Sequence, residues 1–218
     1  MGTGFPGFSR ILTGGSVCRA AKKASDSSGK SFLMRSSNRA GKVFMFFRIF
    51  ANNCVQRLKP YNTFAIDVKC RYFVESDEEE ALRAFVADYE WQPSEVLILG
   101  GGSNFLFTED FTGTVFYPAM QGKEVIKEDE EEVWVRIGAG VEWDDFVAWT
   151  VEQGWGGVEN LSFIPGHVGA APVQNVGAYG MEAGERIDRV EAIALDKAIQ
   201  VEIAGKDCRF AYRDSIFK

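Results

Sequence analysis

From Asn160 to Gly180 the chain reads Asn-Leu-Ser-Phe-Ile-Pro-Gly-His-Val-Gly-Ala-Ala-Pro-Val-Gln-Asn-Val-Gly-Ala-Tyr-Gly, a stretch crowded with four glycines, two prolines and three alanines. Glycine weakens helix and strand through its backbone entropy, and proline removes a hydrogen-bond donor, so neither element can run through this stretch. A shaped loop is expected instead, with its backbone close to something flat or bulky, and the rest of the fold must be built to hold it. Gln174, Asn175 and Tyr179 supply amide and hydroxyl groups suited to orienting a ligand in an apolar pocket. Tight self-packing is the competing explanation.

The elements around this loop are read from periodicity. Ser76 lies three residues before Glu79, the spacing of a capping box, and Leu82, Phe85, Val86 and Tyr89 follow at helical spacing. Trp91-Gln-Pro93 should end that helix, and Val96 to Leu99 reads as a short buried strand. Further strands are expected at Thr114 to Tyr117 and Val133 to Ile137, with the acidic run Glu128 to Glu132 as a solvated hairpin turn. Trp143, Phe146, Val147 and Thr150 share one side of a helix over Trp143 to Gln153, which Gly154 can stop. Val190 to Leu195 and Ile199 to Ile203 form a strand pair around Asp196-Lys197. Strands separated sometimes by helices and sometimes by tight turns indicate a mixed α+β architecture.

Two more segments carry possible chemistry. Ile98-Leu-Gly-Gly-Gly-Ser-Asn104 follows a buried strand directly. Gly100, Gly101 and Gly102 let several backbone N–H groups converge on phosphate oxygens, with Ser103 and Asn104 as added polar groups. A plain glycine-rich turn is the alternative. Phe105 stands where a dinucleotide fingerprint needs its third glycine, so that motif is excluded. Near the end, Cys208-Arg-Phe-Ala-Tyr-Arg-Asp-Ser-Ile-Phe217 offers Arg213, which could stabilise developing negative charge on a carboxylate or enolate, or simply pair with Asp214.

Charge divides the chain into two regimes. Positions 1–58 carry ten Lys or Arg and one acid, Asp26, whereas positions 59–218 carry 14 basic and 30 acidic side chains. The acidic body argues against nucleic-acid binding, which needs clustered cations. Positions 1–58 also lack a steady period and are expected to be an extension outside the fold, either a start placed too far upstream, with Met45 as the true start, or a targeting segment. No apolar run approaches the length that spans a membrane. The four cysteines are scattered, which points to a reducing compartment and away from zinc. His167 is the only histidine, so a multi-histidine metal centre is excluded and no metal site is expected.

Taken together with Pro60-Tyr-Asn-Thr-Phe-Ala-Ile-Asp67, these segments in this order resemble the UDP-N-acetylenolpyruvoylglucosamine reductases, over about Leu58 to Lys218. The resemblance implies a two-subdomain FAD-binding fold of the vanillyl-alcohol oxidase / p-cresol methylhydroxylase type, without the substrate domain. Residues 59–118 would form the first subdomain and 119–218 the second, incomplete at its carboxyl end. It implies noncovalent FAD held by Gly100, Gly101, Gly102, Ser103 and Asn104 at the pyrophosphate. Ile164, Pro165, Gly166, Gly169, Ala170, Ala171, Asn175, Gly177 and Ala178 would hold the ring. NADPH would be the reductant and UDP-N-acetylglucosamine enolpyruvate the substrate, giving UDP-N-acetylmuramate in the bacterial cytoplasm. Tyr179 and Arg213 would bind substrate, and Arg213 would be catalytic. The family's proton-donating serine and its glutamate partner lie downstream of Lys218, so Ser215 is no substitute, and the chain to Lys218 alone is expected to be inactive and monomeric. His167 departs from the pattern, which has a small residue there. Another FAD-dependent oxidase of the same fold and a non-catalytic flavin-binding fragment are the alternative readings.

Overall fold

The structure is a computed structural model that describes residues 11–13, 32–33, 46–49, 56–88 and 95–218. In the amino-terminal stretch four short strands are described: β1 (Ile11–Thr13), β2 (Phe32–Leu33), β3 (Phe46–Ile49) and β4 (Gln56–Arg57). The body continues with β5 (Lys69–Ser76), helix α1 (Glu79–Asp88), β6 (Val96–Ile98), β7 (Phe111–Pro118), β8 (Lys123–Glu128) and β9 (Val133–Ile137). After these come helix α2 (Trp143–Glu152), the short strands β10 (Gly177–Ala178) and β11 (Met181–Glu182), β12 (Arg189–Ala194) and β13 (Ile199–Ala204). The mixed α+β reading holds.

The main sheet has the order β2-β3-β5-β7-β6. Its centre is parallel: β7 lies between β5 and β6, with Tyr72 beside Thr114 on one edge and Val96 beside Thr114 on the other. Thr114, Val115 and Phe116 are buried together, as a central parallel strand requires because both of its faces are covered. No periodicity in the sequence points to β5. Its inward residues Cys70, Phe73, Val74 and Ser76 do not alternate, because a bulge between Cys70 and Tyr72 shifts the register.

Helix α1 covers this sheet with Ala81, Leu82 and Val86. The expected capping box is not formed. The helix begins at Glu79, Leu82 N–H donates to Glu78 O at 3.1 Å, and Ser76 Oγ donates to that same Glu78 carbonyl at 2.8 Å. The predicted stop at Trp91-Gln-Pro93 lies outside the described residues.

The acidic turn is as expected: Asp129 Oδ1 accepts the N–H groups of Glu131 and Glu132 at 3.0 and 2.9 Å, and those bonds hold its carboxyl below the usual range. β8 and β9 form the hairpin on either side. β12 and β13 pair antiparallel, Arg189 beside Ala204 and Ala194 beside Ile199.

Two findings bear on the expected domain plan. β1 pairs with Ala192–Ala194 of β12 and β3 with β5, so described parts of the amino-terminal extension form hydrogen-bonded ladders with the body rather than standing apart from it. A single core cluster also joins Val74, Leu82, Val86 and Phe116 to Met120, Ala139, Ile193 and Leu195, so residues on either side of position 118 share one interior. Among the described residues, no helix is long and apolar enough to cross a membrane.

Candidate cofactor site

The glycine loop leaves the carboxyl end of β6, next to the carboxyl ends of β7 and β5, the place where open sheets with parallel strands bind ligands. Two other segments close on it. On one side is Pro60 to Asp67, whose shape is fixed by Asn62: its Nδ2 donates to the carbonyls of Leu58 (2.7 Å) and Ile66 (3.1 Å), and its Oδ1 accepts Ile66 N–H. Tyr61 packs on Phe73 and Tyr117, with ring centroids 4.6 and 4.9 Å away. On the other side is the Pro165 to Ala170 part of the long loop.

Distances explain the glycines. A Cβ on Gly102, whose φ is +64°, would stand 2.0 Å from Tyr61 O; one on Gly101 would stand 2.9 Å from Gly166 Cα; one on Gly100 would stand 3.1 Å from Ala170 Cβ. Ser103 Oγ donates to Pro165 O at 3.0 Å, tying the two loops directly. The competing explanation of tight packing therefore accounts for the missing side chains at Gly101 and Gly102. It does not account for the donors: the backbone N–H groups of Gly100, Gly101, Gly102, Ser103 and Asn104 have no acceptor among the described residues. Five adjacent backbone donors without acceptors among the described residues are the groups that an anion can bind.

The second loop is pinned from behind by the start of α2. Trp143 N–H donates to Gly166 O (2.8 Å), Val168 N–H to Val141 O and Gly169 N–H to Ala139 O (both 2.9 Å). Trp143 Nε1 donates to Leu161 O at 2.8 Å and buries its ring beneath the loop with Phe146, Val147, Val158 and Ala171. Ile164 packs against that cluster, and the buried Ala171 faces the core rather than the open side. Pro165 and Ala170 are exposed, whereas Gly166 and Gly169 are half-buried. His167 is buried, with Nε2 3.1 Å from Glu142 Oε1 and its ring edge-on to Tyr117 at 5.6 Å.

Asn175 does not face outward as expected. It is 1% exposed, and its amide is spent on the protein: Nδ2 donates to Glu182 Oε2 (2.6 Å) and Ala211 O (3.1 Å), and Oδ1 accepts Gly184 N–H (2.8 Å). Asn175 sits at φ +44°, and its side chain turns inward to tie its bend to the Glu182–Gly184 turn and to Ala211. Glu182 and Gly184 thus belong to the site's support, and no periodicity in the sequence points to them.

Gly177, Ala178 and Tyr179 form a separate outer corner. β10 and β11 are joined by Tyr179-Gly180, both with positive φ (53° and 81°), the backbone of a type I′ hairpin. A tyrosine in that conformation is unusual, and its ring is 90% exposed. Arg213 meets this corner. It too lies at positive φ, in a turn closed by the Ala211–Asp214 bridge, and its Nη2 donates to Gly177 O at 2.8 Å. The alternative of an Arg213–Asp214 salt bridge is not realised: Asp214 is 4.0 Å from Lys218 Nζ, and among the described residues no carboxylate pairs with Arg213. Held by a neutral carbonyl and lying 5.9 Å from the Tyr212 ring centroid, the guanidinium keeps its charge unpaired by a carboxylate among the described residues. Ser215 is spent, donating to Val173 O at 2.9 Å and accepting Phe217 N–H.

A cavity of about 770 Å³ lies elsewhere, between β9, the end of α2 and residues 183–191. None of Gly100 to Asn104 lines it, so it is not the anion cradle.

Residues 70–199 match a family described as FAD binding domain. UDP-N-acetylenolpyruvoylglucosamine reductases of Paraburkholderia phymatum and Bacteroides fragilis are 45% and 46% identical over 161 residues, which is 74% of this chain and 46% and 48% of theirs. The chain thus spans about half the length of the curated relatives it matches. The crystal structure of the UDP-N-acetylenolpyruvylglucosamine reductase from Thermus caldophilus superposes with a TM-score of 0.58 at 25% identity, covering 74% of this chain and 56% of that one.

Proposed function

The chain belongs to the FAD binding domain family, and from that premise we propose that it is the flavin-holding part of a UDP-N-acetylenolpyruvoylglucosamine reductase. The observation that carries this reading is the meeting of two loops, Gly100–Ser103 against Pro165–Ala170, over a row of backbone donors without acceptors. FAD fits what is present. Its diphosphate matches the donors of Gly100 to Asn104, where glycine also permits close approach, and its flat ring matches the small residues Gly166, Gly169 and Ala170. When bound, the flavin supplies hydride transfer from NADPH to the enolpyruvyl double bond of the UDP-sugar.

The chain's own residues then have distinct tasks. The glycine loop neutralises the diphosphate without a cationic side chain. The pinned backbone of Gly166 to Gly169 fixes the plane of the second wall, since it is hydrogen-bonded to Ala139, Val141 and Trp143 of the chain itself. Arg213 sets a positive charge where the substrate's carboxylate gains negative charge during the reduction, and Tyr179 stands beside it on the same corner. Ser215 is not the acid that completes the reaction, because its hydroxyl proton is committed to Val173 O. Residues 59–118 and 119–218 are the two halves of this platform, joined by their shared core. A monomer in the bacterial cytoplasm is the corresponding setting.

The test is direct titration of FAD with the chain, read by quenching of flavin fluorescence. Saturable binding at one flavin per chain is expected, and its absence refutes the reading.

A further inference from the structure

Arg213 and Glu182 are opposite charges at one corner that do not meet. Among the described residues no cation pairs with Glu182 and no carboxylate with Arg213. Both are nevertheless seated on Gly177. Arg213 Nη2 donates to its carbonyl at 2.8 Å, and Glu182 faces it across the β10–β11 ladder, with Cγ 3.1 Å from where a Gly177 Cβ would stand. The guanidinium nitrogen and that Cγ are therefore no more than about 9 Å apart, within the swing of two long side chains. Opposite charges so placed attract, and their separation requires a restraint.

Asn175 is that restraint. Its amide nitrogen, a single atom, donates to Glu182 Oε2 at 2.6 Å and to Ala211 O at 3.1 Å, and Ala211 opens the turn that carries Arg213. Its Oδ1 accepts Gly184 N–H at 2.8 Å, which fixes the amide plane and leaves the nitrogen as the end that faces the carboxylate. A bond this short to an ionised acceptor is of the strong, charge-assisted kind, and the 1% exposed side chain makes it away from competing water. The glutamate backbone is held as well, since Glu182 N–H donates to Glu185 Oε1 at 3.2 Å.

Resting on the reading of Arg213 as the charge that meets the substrate's carboxylate, we propose that Asn175 is a positioning residue that keeps this charge unspent. Its buried amide holds the Glu182 carboxylate on the inner side of the hairpin, so that Arg213 stays free for an anionic ligand. A neutral donor suits the task, because it satisfies the carboxylate without adding a second cation that would compete for the ligand. Gly177 belongs to the same device, since a Cβ there would crowd Met181 O at 2.8 Å as well as Glu182 Cγ.

The pairing state of Arg213 is read by its rate of modification with phenylglyoxal, mapped by peptide mass spectrometry in the full chain well below its unfolding midpoint. Asn175→Ala frees Glu182 and is expected to slow modification of Arg213 about fivefold, the protection given by a partly exposed ion pair. The double variant Asn175→Ala/Glu182→Gln should return to within about twofold of the parent, because an amide cannot neutralise the guanidinium. Glu182→Gln alone should also stay within about twofold. A turn that is merely loosened would raise the rate in both Asn175 variants alike. An unchanged or raised rate in Asn175→Ala, or no recovery in the double variant, would overturn the proposal. So would a rise of more than about threefold in Glu182→Gln, which does not depend on the stability of the Asn175 variants and would mean that the carboxylate already neutralises the arginine. Protection of Arg213 by UDP-N-acetylglucosamine enolpyruvate in the parent tests the underlying reading separately. Its absence would overturn that reading and the proposal with it, whereas the rates overturn the proposal alone.

Discussion

Alanine at Gly101 is expected to drive the two loops apart. Its Cβ would stand 2.9 Å from Gly166 Cα, whereas carbon atoms settle at about 3.5 Å or more, so one loop must retreat by about 0.6 Å. Neither can do so freely, because Gly166 is pinned through its carbonyl to Trp143 and Gly101 is followed by the tightly seated Gly102. The same displacement lengthens the 3.0 Å Ser103–Pro165 bond beyond the range in which a hydroxyl donates effectively. Overpacking strain of about 1–3 kcal/mol and a lost hydrogen bond of about 1 kcal/mol together give about 2–4 kcal/mol. The neighbouring positions calibrate this figure. Gly100→Ala meets only the Ala170 methyl at 3.1 Å and should cost less than about 1 kcal/mol. Gly102→Ala meets a backbone oxygen at 2.0 Å and adds about 1–2 kcal/mol for a left-handed backbone, so it should be the worst of the three. Urea unfolding of the flavin-free chain, followed by tryptophan fluorescence, measures all three. A Gly101→Ala variant within about 0.5 kcal/mol of the parent would show that the loops are not in contact, and the site would have to be redrawn.

Other substitutions probe the supports. Asn175→Ala leaves the Glu182 carboxylate, the Ala211 carbonyl and the Gly184 N–H without their partner; it should cost about 2–4 kcal/mol in thermal unfolding, more than a ligand-facing asparagine would. Ser215→Ala removes the tie to Val173 and should cost about 1 kcal/mol while FAD affinity stays unchanged; a large loss of affinity would contradict the structural role given to this serine. Burial pushes the Cys70 thiol up to about 12, from an ordinary 9.0. The neutral thiol is therefore favoured in the fold: its contribution is complete below pH 9, declines as the unfolded chain ionises, and is lost as pH rises through about 12. Cys70→Ala should flatten the alkaline limb of the stability profile, and an unaltered limb would refute the assignment.

The helices are legible in the sequence because their periodicity coincides with their burial. Leu82 and Val86 in α1, and Trp143, Phe146, Val147 and Thr150 in α2, are residues that face inward. β5 is not legible, since its bulge breaks the alternation that marks a strand. The cap expected at Ser76 is misplaced for a related reason: a serine three residues before a glutamate also fits the end of a strand, where its hydroxyl bonds the Glu78 carbonyl. The glycine loop shows a deeper limit. A sequence records that a side chain is missing but not what excludes it, and at Gly101 and Gly102 the excluding atoms belong to Gly166 and Tyr61.

The two later motifs stand apart in the sequence, yet they form one mechanical unit. Ser215 Oγ holds Val173 O, Asn175 Nδ2 holds Ala211 O, and Arg213 Nη2 holds Gly177 O. With ties on both sides of it, the turn carrying Arg213 cannot swing without breaking at least one of them. The sequence assigns Asn175 to orienting a ligand by its own amide; in the structure that amide ties down the turn that carries Arg213. The buried side chain therefore governs where the surface charge of Arg213 stands, beside the exposed Tyr179. A variant that loosens the buried tie should then disturb substrate placement more than flavin retention. Asn175→Ala at a temperature well below its unfolding midpoint separates these effects, with FAD affinity expected within about threefold of the parent. A parallel collapse of flavin binding would mean that the Arg213 corner and the glycine loop are one site rather than two supported in sequence.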